Sequence, residues 1–381
     1  ILTAVVSFTG TSDRGIAGPL KGSDFVQFYT LGHLASAHRI SEMYDAASFH
    51  EAQAEFLPES AREIYPPVYP PQAAVMFAPT SGLSYQRALF IWSLITIAGY
   101  ALIVWSVWKV VAARLPDRTF VIAAAAAFPP FWSVILHGQV TVILLFAFWA
   151  GWLALEHHRR WLAGFAFGLL ANKPQFGIPL PLVVLASGEW AMLTGAVTSV
   201  MAQAVVVWMV LGSEAFTAFA DSIPTTIAYA DLLEAKPFMS HSLRSLTRLT
   251  PNWIGLPMWA ALAAIVLWFT VRAWKSDAPL RVRLGVVVLA ATLVNPHVII
   301  YDLTVLALPL LWFGSYMEEP ARQEHAGSYW TAVYWLFVLT FMPTAAAIGL
   351  QASVFVMAGL LVLVSRAIQA DVPSYTERNA A

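Results

Sequence analysis

The sequence predicts an all-α integral membrane protein that enters the bilayer many times. Three observations carry this. Hydrophobic residues make up 59% of the 381 and charged residues only 11%, where a soluble domain carries roughly 25% charged residues. Apolar runs suited to the roughly 30 Å hydrocarbon core recur along the chain. Sixteen Trp and twelve Tyr suit belts at the two membrane–water interfaces. The net charge of −1 excludes the basic face that a nucleic-acid partner needs. With no cysteine there is neither a disulfide nor a thiolate metal site. Residue 1 is Ile and residues 1–10 are too short to span, so the first helix is read as cut at its N-terminus.

The elements follow in order. Residues 11–82 are a polar insert. Within it, 24–56 read as amphipathic helices, because Phe25, Phe28, Tyr29, Leu31 and Leu34 recur at helical spacing. Ser23 or Asp24 suits the N-cap. The insert ends in Tyr65-Pro66-Pro67-Val68-Tyr69-Pro70-Pro71, where paired prolines bar both helix and central strand. A span over about 85–111 carries Trp92, Trp105 and Trp108. Residues 120–136, interrupted at Pro129-Pro130, lead to His137-Gly138-Gln139, and 140–155 return to Glu156-His157-His158-Arg159-Arg160. The apolar stretch 161–186 breaks at Asn172-Lys173-Pro174-Gln175. Residues 191–211 span, and 212–251 form a second polar insert with His241, Arg244 and Arg248. After a span at 256–273, the stretch 284–313 breaks at Asn295-Pro296-His297. Residues 317–328 read as a polar loop, 329–350 and 352–364 as the last helices, and 371–381 as a loose tail. The expectation is one integral-membrane domain over 1–381 with roughly 9–11 transmembrane or half-membrane helices.

Orientation follows from the basic residues of the short loops. Segments 109–118, 156–160, 272–283, 314–328 and 366–378 hold 12 of the 21 Lys and Arg. With these in the cytoplasm, both long inserts lie outside. The stretches 161–186 and 284–313 then begin and end on one side, each as two half-helices meeting at a polar apex. A twelve-residue helix is only about 18 Å long, and such a break survives where protein or a watery cavity satisfies the backbone. The alternative is an ordinary span with a proline kink. With the turn at His137-Gly138-Gln139, three apices point toward the region of Asp24.

Several residues in these positions suit chemistry. Asp24 reads either as a helix N-cap or as a general base. Lys173 is the only Lys or Arg of 161–186, and a lysine at that depth costs about 2.5–3.5 kcal/mol on insertion scales. It reads as a phosphate clamp or as a side chain snorkelling to the interface. After the break at Asn295-Pro296, His297 and Tyr301 fall four apart on one face. His297 reads as a donor to a phosphate oxygen or as a satisfied buried histidine. Asp302 either orients His297 or pairs with Lys173. His137 and Gln139 flank a glycine that permits close ligand approach or a helix C-cap. His241, Arg244 and Arg248 suit a phosphate or a solvated helix face. Tyr29, Tyr65, Tyr69 and Gln175 are further candidates for substrate contact. No GxSxG, P-loop or GxGxxG is present, so serine hydrolysis and nucleotide binding have no support.

Ser23-Asp24-Phe25, the Tyr65–Pro71 run, Gly138-Gln139, Lys173-Pro174 and Asn295-Pro296-His297 through Tyr301-Asp302 occur in this order. Over about residues 20–315 the chain resembles the GT-C glycosyltransferases, specifically glycosyltransferase family 87, the polyprenol-phosphate-mannose-dependent mannosyltransferases of bacteria. The resemblance implies a GT-C type fold and an inverting transfer of a hexose, mannose by the family. The donor would be a polyprenyl-phosphate sugar and the acceptor a hydroxyl of a glycolipid or glycan. The site would face the outside of the bacterial inner membrane. It implies Asp24 as catalytic base and His297 at the donor site, and it gives Lys173-Pro174 no role of its own. Many GT-C enzymes pair two acidic residues and use a metal. Here Ser23 precedes Asp24, so no metal or other cofactor is expected. A transporter or flippase of a lipid-linked saccharide, and an O-antigen ligase or polymerase, are the competing readings.

Overall fold

The computed structural model describes residues 9, 13–15, 18–115, 117–228, 236–340 and 342–370. These are helical, with one isolated bridge between Arg14 and Leu20 and no strand ladder among them. The expected start of the first helix and the tail at 371–381 lie outside the described residues. Six helical segments are long and apolar enough to cross a membrane, by length and composition. The protein is an all-α polytopic membrane protein.

In the first insert, α1 (Phe25–Ser36), α2 (Ala46–Phe56) and α3 (Gln72–Phe77) fold where the apolar spacing places them. Asp45 caps α2, accepting from the Ser48 amide at 2.9 Å. The expectation of an amphipathic surface helix fails for α1. Ten of its twelve residues are buried, because it is roofed by α3 and by the proline run rather than laid on a lipid surface. Residues 64–69 carry no regular structure, as their prolines require.

The membrane part begins with α4 (Tyr85–Val111). Then α5 (Arg118–Ala127) breaks at Phe128 before α6 (Pro129–His137), and α7 (Thr141–Glu156) runs back. Next come α8 (Arg160–Phe167), two 3-10 turns over Gly168–Asn172 and Pro174–Gly177, and α9 (Pro179–Ser187). The span α10 (Trp190–Leu211) leads into the second insert with α11 (Glu214–Ala228) and α12 (Leu243–Thr247). After α13 (Asn252–Trp274) come α14 (Leu280–Val294), a 3-10 segment at Ile300–Leu306, and α15 (Ala307–Met317). The chain closes with α16 (Gln323–Leu339), α17 (Met342–Ile348) and α18 (Ser353–Ala370). The polar loop expected at 317–328 is shorter than that. α16 starts at Gln323, because Gln323, Glu324 and His325 form a solvated first turn that hydropathy does not register as helix.

The two interrupted stretches are hairpins. Arg160, at the start of α8, pairs with Glu189, just past α9, at 3.1 Å. Arg281, in the first turn of α14, lies 3.7 Å from Glu319, just past α15. Glu319 also holds Arg114, at the end of α4, at 2.8 Å. Ionic contacts therefore tie the open ends together, and the breaks sit at the opposite end.

Side chains satisfy the backbone where each helix is interrupted, as a low-dielectric surrounding demands. Gln203 of α10 donates to the Gly168 carbonyl at 3.0 Å and Gln72 of α3 to the Ala171 carbonyl at 3.2 Å. In the second break the Asn295 carboxamide oxygen accepts from the His297 amide at 2.9 Å, and the Asp302 carboxylate from the Ile299 amide at 3.2 Å. Buried α14 and α15 form the centre of the bundle, while α4, α10 and α13 present Leu102, Trp208 and Trp253 outward. That is the arrangement a lipid solvent permits.

Candidate active site

Asp24 stands at the N-terminus of α1 but does not cap it, since its carboxylate bonds no amide of the first turn. Its own amide donates to the His137 carbonyl at 3.0 Å. The N-terminus of α1 is thereby fastened to the turn between α6 and α7. That turn is sharp because Gly138 has φ +66°, and a Cβ there would lie 2.6 Å from Cβ of Phe25. Only glycine fits both demands. The turn throws Gln139 back at Asp24, and its Nε2 donates to Oδ2 at 2.6 Å. Ser23 Oγ reaches Oδ1 at 3.3 Å. Tyr301 stands close enough to the same carboxylate for the two to act on each other electrostatically. Asp24 itself is half-buried, so it retains an open side.

Behind it lies a buried ion pair. Lys173 Nζ is 2.7 Å from Asp302 Oδ1, with the two side chains 7% and 2% exposed. Thr141 Oγ1 also donates to Oδ1, at 3.4 Å. The ammonium lies 4.9 Å from the ring centre of Tyr301 and 5.5 Å from that of Tyr69. Of the two partners open to Asp302 from the sequence, the structure selects Lys173. Tyr69 donates to Gln139 Oε1 at 2.7 Å. Burial pushes its hydroxyl up to about 12 against the pull of Lys173, so it remains a proton donor at neutral pH.

Three interrupted elements and the proline run thus bring Asp24, Tyr69, Gln139, Lys173, Tyr301 and Asp302 into one cluster. His137 packs against Tyr301 with ring centres 5.5 Å apart, its Nδ1 near the Ser133 carbonyl at 2.8 Å. Tyr65 donates to Glu63 at 2.8 Å, and Asp24 lies close enough to act on it electrostatically. Burial and that bond to Glu63 raise its hydroxyl above the ordinary phenol range. His297 and Gln175 are half-buried beside the two breaks. His297 and Tyr301 do not share a helical face as their spacing suggests. Residues 295–299 are not helical, because Pro296 and the Asn295 turn interrupt the ladder.

Other candidates stand elsewhere or are otherwise engaged. Tyr29 donates to the Leu83 carbonyl at 2.9 Å and packs on Tyr85 at 5.3 Å. The amide of His241 donates to the Val298 carbonyl at 2.8 Å, docking the second insert beside His297. Its ring meets Ser353 Oγ at 2.8 Å and Gln351 at 3.3 Å. Burial drives its pKa down to about 3, so it is neutral. The Arg244 guanidinium reaches Asn252 at 2.8 Å and Thr247 at 3.2 Å. Arg248 is half-buried one turn on. Among the described residues no three His, Asp or Glu side chains gather as a metal site would require.

The sequence reading missed Thr141, Ser23 and Trp92 as members of this site. Trp92 Nε1 donates to the Gln139 carbonyl at 3.3 Å. Nothing local marks such residues. Thr141 lies 161 positions from its partner, and a threonine at a helix start has many ordinary uses.

A profile of glycosyltransferase family 87 matches residues 68–296. A polyprenol-phosphate-mannose-dependent alpha-(1-2)-phosphatidylinositol pentamannoside mannosyltransferase from Mycolicibacterium smegmatis is 28% identical over 152 residues, 39% of this chain. The match spans 36% of that relative's own length. No solved structure matches the chain. The profile covers more than half of the chain, from the proline run through the first interrupted hairpin to the break of the second at Asn295-Pro296, and this integral membrane protein therefore belongs to glycosyltransferase family 87.

Proposed function

We propose that this glycosyltransferase moves a hexose, mannose by the relative's donor, from a polyprenyl-phosphate sugar to a hydroxyl of a glycolipid or glycan. Asp24 serves as general base. The observation that carries the reading is the half-open Asp24 carboxylate, held by Gln139 and Ser23 at the meeting point of interrupted helices. The orientation rule for basic loops puts this site on the outer face of the bacterial inner membrane. A lipid-linked donor suits that face, where nucleotide sugars are not supplied.

The step is a single displacement. As the acceptor oxygen forms its bond to the anomeric carbon, its proton passes to the Asp24 carboxylate. The bond from that carbon to the phosphate oxygen breaks, and its electron pair leaves with the polyprenyl phosphate. One base and one departing anion give inversion at that carbon. A phosphate leaves without a general acid, but its developing charge needs nearby donors. His297, half-buried beside the second break, serves as such a donor. Tyr65 and Tyr301 act on Asp24 electrostatically and His137 packs against Tyr301, so these side chains meet the sugar.

The test is transfer by the purified protein in lipid nanodiscs from radiolabelled polyprenyl-phosphate mannose, with GDP-mannose as the comparison donor. Transfer from the lipid-linked sugar alone, with inverted anomeric configuration in the product, is the expected result. Transfer from the nucleotide sugar, or retention of configuration, would overturn the reading.

A further inference from the structure

We infer that Gln139 and Tyr69 are positioning residues that orient the Asp24 carboxylate, with the Lys173–Asp302 ion pair as their anchor. This rests on Asp24 as the base. The direction of each hydrogen bond can be worked out. The Lys173 ammonium has only protons to give; one goes to Asp302, and its charge stands 5.5 Å from the Tyr69 ring centre. Tyr69 has one proton, and it goes to Gln139 Oε1 at 2.7 Å. The Val140 amide donates to the same Oε1 at 3.3 Å. A flipped amide would set its NH2 against two donors and its oxygen against Asp24, so the carboxamide has one satisfied orientation. Its Nε2 must then face Oδ2, as it does at 2.6 Å. The relay runs Tyr69 to Gln139 to Asp24, every donor pointing toward the base, with the Lys173–Asp302 pair packed beside Tyr69.

Gln139 is only 1% exposed, and its carboxamide is filled by Tyr69, Val140 and Asp24, so it is committed to this relay rather than to a sugar hydroxyl. Its effect is to fix the plane of the carboxylate so that one oxygen is held and the open side meets the acceptor. A base misplaced by an ångström loses much of its value. A hydrogen bond from a neutral donor to a charged group is worth roughly tenfold to hundredfold when it is made in the transition state.

The experiment measures kcat and donor KM for Gln139→Leu, Gln139→Glu, Tyr69→Phe and the Gln139→Leu/Tyr69→Phe double variant, each first shown to be folded by thermal unfolding. Gln139→Leu should lower kcat by about 10- to 100-fold with donor KM within about threefold. Gln139→Glu keeps the contacts of Oε1 but puts an acceptor against Oδ2. It should lose at least as much, which separates loss of the donor from loss of packing. Tyr69→Phe should cost less, and the double variant should be no worse than Gln139→Leu alone, because both act through one carboxamide. A kcat within twofold of wild type in folded Gln139→Leu, effects that multiply in the double variant, or a raised KM with unchanged kcat would each overturn the relay. Asp24→Asn in the same assay separates the two claims. If it is active the base assignment fails, and if it is inactive while Gln139→Leu is normal, only the relay fails.

Discussion

Replacing Lys173 by Met isolates the ion pair on which the site is built. Met keeps the volume and removes the charge. It leaves the Asp302 carboxylate, 2% exposed, with the Ile299 amide at 3.2 Å and Thr141 at 3.4 Å as partners. Breaking a buried pair by removing one partner costs about 3–5 kcal/mol. Two remaining hydrogen bonds, both long, place the expected loss at the lower end, about 3 kcal/mol. The assay is unfolding in mixed detergent micelles, followed through the intrinsic fluorescence of the sixteen Trp. Lys173→Met and Asp302→Leu should each be destabilised by about that amount, and the double variant should recover to within about 1 kcal/mol of wild type, since an apolar pair leaves no buried charge. Its transfer activity should stay low, because Tyr69 has lost the cation beside its ring. A stable Lys173→Met single variant, or a double variant worse than either single one, would refute the reasoning.

Other substitutions read different joints of the structure. Gly138→Ala forces a side chain into φ +66° and against Phe25 at 2.6 Å. A loss of about 1–2 kcal/mol from the backbone alone, with a steep fall in kcat as Gln139 moves, is expected in unfolding and transfer assays. Tyr85→Phe removes a hydroxyl that holds the Lys21 and Gly22 carbonyls at 2.7 and 2.8 Å. Slower transfer with little change in donor binding should follow, as the segment leading to Asp24 loosens. His241, with its pKa lowered to about 3 by burial, is neutral when folded, whereas an unfolded histidine protonates below about 6.5. Its contribution is complete above that value and is lost progressively as pH falls toward 3. A pH series of unfolding should therefore fall more steeply below about 6.5 in wild type than in His241→Asn. Equal slopes would contradict the buried neutral ring.

The sequence carried much of this architecture because bilayers impose simple rules. Prolines at Pro129, Pro174 and Pro296 and the basic residues Arg160 and Arg281 announce breaks and hairpin ends, and both hairpins are there. What it could not carry was packing. The apolar spacing of α1 suggests one wet face, yet the proline run covers that face. The spacing of His297 and Tyr301 suggests a common helical face, yet Asn295 diverts the chain between them. Asp24, Gln139, Lys173 and Asp302 each stood out as costly or oddly placed polar residues. The pairing of Asp302 with Lys173, 129 positions apart, was one of two readings open to the sequence, while that of Gln139 with Asp24, 115 apart, carried no mark. Periodicity reports which face is apolar, not which apices meet.

The assignment of Asp24 as base is tested most directly by Asp24→Asn, which keeps the shape of the side chain and one acceptor oxygen for Gln139 while removing the carboxylate that takes the proton. In single-turnover transfer from polyprenyl-phosphate mannose, the account predicts a rate lower by about 10²- to 10⁴-fold with donor binding retained. Near-normal transfer by the folded variant would contradict it.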